Sequence, residues 1–158
     1  MHHIFGVFRM VKMVMLKQIR TKIVLAFLLL LLLVSVLFKI VQVEGNSMYP
    51  TIKSGTILLV QRQNIFTKKF QKNEIIVFNH NGTQYIKRIL AVSNDKISSE
   101  NACLKIGDIV YEKYSYTGDV YELDKNEVFV VGDNAEESID SRDFGVISKD
   151  EIIGKCIY

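Results

Sequence analysis

Three short segments concentrate the side chains that could do covalent chemistry. Gly45-Asn-Ser-Met-Tyr-Pro-Thr51 carries one serine, Ser47, between a glycine and the chain's only proline. Glycine leaves room for a peptide backbone to approach and proline fixes a local φ, so together they could hold that hydroxyl in one position. An ordinary turn serine would look the same. In Gln84-Tyr-Ile-Lys-Arg-Ile-Leu-Ala-Val92, strand alternation sends Lys87 and Arg88 to opposite faces, and at least one meets apolar surroundings. Desolvation disfavours ammonium, so a lysine buried there would have the lowered pKa that a general base needs. The alternative is an edge strand whose lysine reaches back to water. The third segment follows an apolar run, with the turn Gly132-Asp-Asn134 and then Ser138, Asp140, Ser141, Arg142 and Asp143. A solvated loop would suit the charges, but it fits poorly with Phe144, Gly145, Val146 and Ile147 directly behind them.

Other catalysts are excluded by composition. After Glu44 there is one histidine, His80, beside Asn81-Gly82. A Ser-His-Asp triad would have to be built on it, and a zinc site with two or three histidines cannot form. There is no Walker-type phosphate loop and no dinucleotide fingerprint. If the chain is an enzyme, its base should be Lys, Asp or Glu.

The elements that must position these residues begin with an apolar run. Residues 23–38 hold no charge and eight of the sixteen are Leu. With 39–43 added, the run approaches the roughly twenty residues a bilayer requires. It shows no polar helical face, and no small-x-small cleavage site follows it. We expect a basic cytoplasmic tail at 1–22, a transmembrane anchor at 23–43 and an extracytoplasmic domain at 44–158. All 17 acidic residues lie at Glu44 or later, while five of the six basic residues before Glu44 precede Ile23. By the positive-inside rule the N-terminus is cytoplasmic. The part from Glu44 onward has 14 basic and 17 acidic residues, so nothing in it favours nucleic acid.

That part reads as β structure. Apolar, β-branched runs at 56–61, 74–78, 84–92, 96–99, 103–106, 108–110, 127–131 and 154–158 are separated by turn residues. Asn81-Gly82 between two of them signals a hairpin. No amphipathic helix is expected outside the membrane. The fold class is mostly β: a small antiparallel β domain preceded by one transmembrane helix. Cys103 and Cys156 are either a disulfide in an oxidising compartment or two unpaired small hydrophobes.

Taken in order, the segments resemble the bacterial type I signal peptidases, in a short Gram-positive-like form. Ser47-Met-Tyr-Pro-Thr51 resembles the nucleophile box, 73–78 the strand after it, Tyr85-Ile-Lys-Arg88 the general-base box, and Gly132-Asp-Asn134 with Ser138 to Gly145 the final box. The resemblance implies a membrane-bound serine endopeptidase that removes signal peptides through an acyl-enzyme. Ser47 would be nucleophile and Lys87 base. Ser138 would bond to and orient Lys87, Asp140 and Arg142 would pair to brace the site, and Asp133 and Asn134 would form the supporting turn. The Ser47 N–H would serve the oxyanion. Val43, Gly45, Tyr85 and Ile86 would bind substrate in shallow apolar pockets. Secretory preproteins with small residues before the cleavage site, and the lipid bilayer, are the implied partners; no cofactor is implied and a monomer is expected. Many members carry Ser where Gly45 stands and Arg where Ala135 stands. A self-cleaving repressor-type Ser-Lys peptidase and a catalytically silent homologue are the alternatives, disfavoured by the anchor and by intact Ser47 and Lys87 respectively.

Overall fold

The computed structural model describes residues 2–63 and 69–157. It divides into two compact units, Met1–Leu37 and Phe38–Tyr158. The first is a single helix, α1 (His2–Leu37). Its stretch Met15–Leu37, 23 residues of mean hydropathy 2.4, is long and apolar enough to cross a membrane. At 1.5 Å per residue that is about 35 Å, sufficient for a hydrocarbon core of roughly 30 Å.

The expected anchor at 23–43 is corrected at its C-terminal end. The chain leaves the helix at Leu37 and forms strand β1 (Phe38–Gln42). The reason is a change of period. Val41 and Val43 are buried while Gln42 and Glu44 are exposed, the alternation of a half-buried strand rather than the continuous face of a span.

The second unit is β-rich, as the sequence indicated. The strands after β1 are β2 (Ile57–Arg62), β3 (Ile75–His80), β4 (Thr83–Ala91), β5 (Lys96–Glu100), β6 (Cys103–Ile106), β7 (Ile109–Ser115), β8 (Tyr121–Glu122), β9 (Glu127–Val131), β10 (Ile147–Ser148) and β11 (Ile152–Ile157). The only α-helix described after Leu37 is the four-residue α2 (Ser141–Phe144). One sheet has the order β1-β2-β11-β3-β4-β9-β10, and a smaller one has β7-β6-β5-β8. All pairings are antiparallel.

Asn81 and Gly82 both take positive φ, 51° and 82°, in the two-residue turn joining β3 to β4. That is the conformation a type I′ hairpin demands, and it fixes the register in which Ile76 faces Lys87. β3 is covered on both faces. Ile75 and Val77 join Val41, Val43, Met48 and Val60 on one side, while Ile76 and Phe78 join Ile89, Val128 and Val130 on the other. A third cluster (Leu90, Phe129, Ile97, Leu104, Leu123) seals the small sheet to the large one. Both cysteines are free, Cys156 inside the first cluster on β11 and Cys103 on β6 of the small sheet. Burial pushes the Cys156 thiol up to about 11, leaving it an inert hydrophobe. Tyr158, placed in the last strand by the sequence reading, lies outside the described residues.

Candidate active site

Ser47 sits in the turn that follows β1. The chain is fastened there by Val43 N–H to the Thr56 carbonyl (2.9 Å) and Tyr49 N–H to the Asn46 carbonyl (2.9 Å). Met48 and Ile52, both buried, pin the turn to the core beneath it. Gly45 supplies φ +85°, a backbone state that side-chain-bearing residues rarely adopt.

Lys87 projects from β4 opposite this turn. It is 3% exposed, and its Nζ donates to Ser47 Oγ at 2.7 Å. Burial lowers its pKa from 10.5 to about 8, with the Asp140 carboxylate raising it and the Arg142 guanidinium lowering it. Arg88 goes to the opposite face, as alternation requires. It grips Asp133 through Nε (2.8 Å) and Nη2 (2.6 Å) and the Asn73 carbonyl through Nη1 (2.8 Å). Both adjacent cations are thus committed, one to the hydroxyl and one to the turn that supports it.

The strand β9 ends at Val131, and at the next residue, Gly132, two backbones meet. A Cβ built there would lie 2.2 Å from Ser138 Oγ and 2.5 Å from the Ser47 carbonyl oxygen, so nothing larger than glycine fits. Just beyond, Asn134 N–H donates to that Ser47 carbonyl at 2.9 Å. The same peptide unit accepts from Lys113 Nζ at the Asp133 oxygen. Among the described residues no hydrogen bond engages the Ser47 N–H itself.

Asp140 is the hub of the remaining polar groups and is fully buried. Its Oδ2 accepts from Gly132 N–H (2.8 Å), Ser138 Oγ (2.7 Å) and Arg142 Nη2 (3.0 Å), and its Oδ1 from Arg142 Nε (2.8 Å). Burial alone would raise its pKa, but bonds from Arg142, Ser138 and Gly132 outweigh that and hold it below the usual carboxylate range. Asp140 also caps α2 reciprocally with Asp143. Arg142 further donates to the Ala135 carbonyl (2.9 Å) and lies over the Tyr114 ring at 5.2 Å.

Ser47, Lys87, Asp133, Asn134, Ser138, Asp140 and Arg142 therefore converge from three separated stretches of chain. One expected contact differs. Among the described residues no hydrogen bond joins Ser138 to Lys87, because the Ser138 hydroxyl is turned to Asp140. His80 bonds to Glu151 (2.7 Å) and stacks on Phe144, away from the Ser47–Lys87 pair in its contacts. Gly132, Arg88, Lys113 and Tyr114 were not singled out as site residues by the sequence reading. Arg88 could have been, from its place beside Lys87. The two β7 residues carry no local signal, since a second sheet brings them in.

A cleft of about 230 Å³ opens beside the pair. One wall is Val41–Glu44 and the other Gln84–Lys87, with Ser47 and Met48 between. Val43, Tyr85 and Ile86 are among its lining residues, whereas Gly45 turns the chain into Ser47 and is not. β1 is an edge strand, and β9 pairs with β4 only over Arg88–Ala91. Two strand edges thus face this cleft with backbone groups available to an extended peptide.

A serine and a desolvated lysine beside a peptide-shaped cleft define a candidate acyl-transfer site, and comparisons give it a family. The model of the signal peptidase, peptidase S26 family matches residues 16–158. The chain belongs to that family. It is similar to signal peptidase I P of Bacillus subtilis subsp. natto, 36% identical over 151 residues, covering 84% of this chain and 81% of the relative. Signal peptidase IB of Staphylococcus aureus (strain COL) is 30% identical over 161 residues, covering 86% of this chain and 84% of the relative. Among solved structures, a signal peptidase I from Enterococcus faecalis V583 aligns with a TM-score of 0.45 at 23% identity, over 55% of this chain and 96% of that one.

Proposed function

We propose that the chain is a membrane-anchored serine endopeptidase that removes signal peptides from secreted preproteins, with Ser47 as nucleophile and Lys87 as general base. The observation that carries this reading is the 2.7 Å contact from Lys87 Nζ to Ser47 Oγ, with the amine lowered to about 8 by burial. An amine at that value is neutral in an appreciable fraction at mildly alkaline pH, where an unperturbed lysine is almost wholly protonated.

The preprotein enters as an extended strand between β1 and β4. Ser47 Oγ attacks the scissile carbonyl while Lys87 Nζ takes its proton, and the unengaged Ser47 N–H donates to the developing oxyanion. Collapse expels the new amine, which receives the proton back from the Lys87 ammonium. Water, activated by the same lysine, then releases the acyl group from Ser47. Asp140, Arg142 and Ser138 hold the turn behind the pair, and Asp133 with Arg88 holds it from the opposite face. The apolar walls of Val41, Val43 and Ile86 accommodate small side chains.

The test is cleavage of a preprotein with small residues before its processing site by the full chain in detergent. Ser47→Ala should remove cleavage without changing folding; cleavage at the wild-type rate would overturn the assignment. Orientation is tested separately. The basic residues before Ile23 argue for an N-terminus inside, so a reporter fused after Tyr158 should behave as exported, and cytoplasmic reporter activity would overturn the topology. An exposed aliphatic row, Ile40, Leu59 and Ile157, crosses β1, β2 and β11 in paired register and suits a domain working at a lipid surface.

A further inference from the structure

A side-chain bridge links the strands that form the two walls of the cleft. Lys39 Nζ donates to Gln84 Oε1 at 3.2 Å, spanning the gap between β1 and β4. Lys39, Val41 and Val43 lie on one face of the same extended stretch. The two valines form the apolar wall, and Lys39 continues that face one step farther from Ser47. On the opposite wall Gln84 precedes Lys87 by three residues, about 10 Å of strand. The bridge therefore crosses the path of any extended peptide at a set distance from the reacting hydroxyl.

Which end of the peptide meets it follows from the signal peptidase reading, on which this inference rests. A signal peptide's apolar segment precedes its cleavage site and belongs in the bilayer. Lys39 is the second residue after the apolar helix ends at Leu37. The acyl half of the substrate thus runs toward Lys39. Three to four residues fill the cleft from the Ser47–Lys87 pair to Gln84, at about 3.3 Å each.

We propose that the Lys39–Gln84 bridge is a charge-reading subsite that selects the substrate residue four to six positions before the scissile bond. Gln84 offers Lys39 a neutral acceptor. An incoming carboxylate is a stronger partner for the ammonium and displaces the amide, so an acidic residue there is favoured. A lysine or arginine at that point meets like charge and finds the bridge shut. The apolar walls nearer Ser47 read size; this end reads sign.

The experiment uses the full chain in detergent micelles and a matched set of preprotein-derived peptides. Each carries Asp, Gln or Lys at one position from three to seven before the cleaved bond. Wild type should prefer Asp over Lys in kcat/KM by about three- to fivefold, at positions four to six only, as suits a half-exposed ion pair. High salt should shrink the ratio. Lys39→Met should bring it to about one, and Gln84→Leu, which frees the ammonium, should widen it. Each ratio compares two substrates on one protein, so a general loss of folding cancels. A wild-type ratio that is flat along the peptide, or one that survives Lys39→Met, would overturn the inference. Undiminished cleavage by Ser47→Ala would instead remove the functional reading, and the subsite with it.

Discussion

Lys87→Met is expected to abolish turnover and, at the same time, to make the domain more stable at neutral pH. Loss of a general base from a unit that works together should cost at least about a thousandfold in kcat/KM. Lys87→Arg should do no better, because guanidinium keeps its proton throughout this range. The stability effect has the opposite sign. In the folded chain Lys87 titrates near 8, against 10.5 when unfolded. Below pH 8 folding must therefore bury an ammonium that would prefer water, a cost on the order of 3 kcal/mol. Between pH 8 and 10.5 the folded state sheds its proton before the unfolded state does, so wild type gains stability and the advantage of Lys87→Met fades. Denaturant titrations of both proteins at pH 7 and pH 10.5 measure the difference. Equal stability at pH 7 would mean that the lysine is not desolvated, and the reading of it as a base would fail. The same value predicts an acidic limb near pH 8 in the wild-type rate profile.

The second large effect is at Asp140. Its carboxylate has no exposure and binds Arg142 through both oxygens. Asp140→Ala leaves a partly buried guanidinium, with Gly132 N–H and the Ser138 hydroxyl, without their common acceptor. Removing one member of such a pair costs about 3–5 kcal/mol. The milder Asp140→Asn keeps the shape and tests the electrostatics. Asp140 raises the Lys87 pKa, so its neutralisation should move the acidic limb of the residual activity to lower pH, while Arg142→Ala should move it upward. A limb that stays put in both variants, or a melting temperature unchanged in Asp140→Ala, would reduce the pair to solvated surface charge. Because its folded pKa is depressed, the stabilisation from Asp140 is present above its unfolded value and is lost as pH falls through the folded one.

The residues of this site were readable in the sequence to very different degrees. Ser47 and Lys87 stand out only when the segments are read together and in order, since a turn serine and an edge-strand lysine would look the same alone. The turn at Asn81-Gly82 was plainer, since two residues tolerant of positive φ between apolar runs have few other uses. What stayed hidden depends on contacts distant in sequence. Ser138 was expected to bond to Lys87, and only the folded chain shows its hydroxyl spent on Asp140. Gly132 reads as a turn glycine, yet its constraint is the Ser47 carbonyl arriving from 85 positions away. The anchor was overextended for a related reason. A window that sums hydropathy counts Ile40, Val41 and Val43 as span, whereas the alternation of buried Val41 and Val43 with exposed Ile40, Gln42 and Glu44 marks the partner of β2. Nothing local announces that Lys113 and Tyr114 reach the site.

The place of β11 in the large sheet bears on when this protein can first act. β1 and β2 form one hairpin-like half, β3 and β4 another, and the strand that joins them, Ile152–Ile157, follows every other strand in the chain. Its seat is tight: a Cβ on Gly154 would lie 2.2 Å from the Gln61 carbonyl oxygen. Until that strand docks, the two halves lack their shared sheet, and Ser47 is linked to the β9 side by contacts such as Asn134 N–H to its carbonyl. On the proposed reading, cleavage is expected only once this last strand has docked.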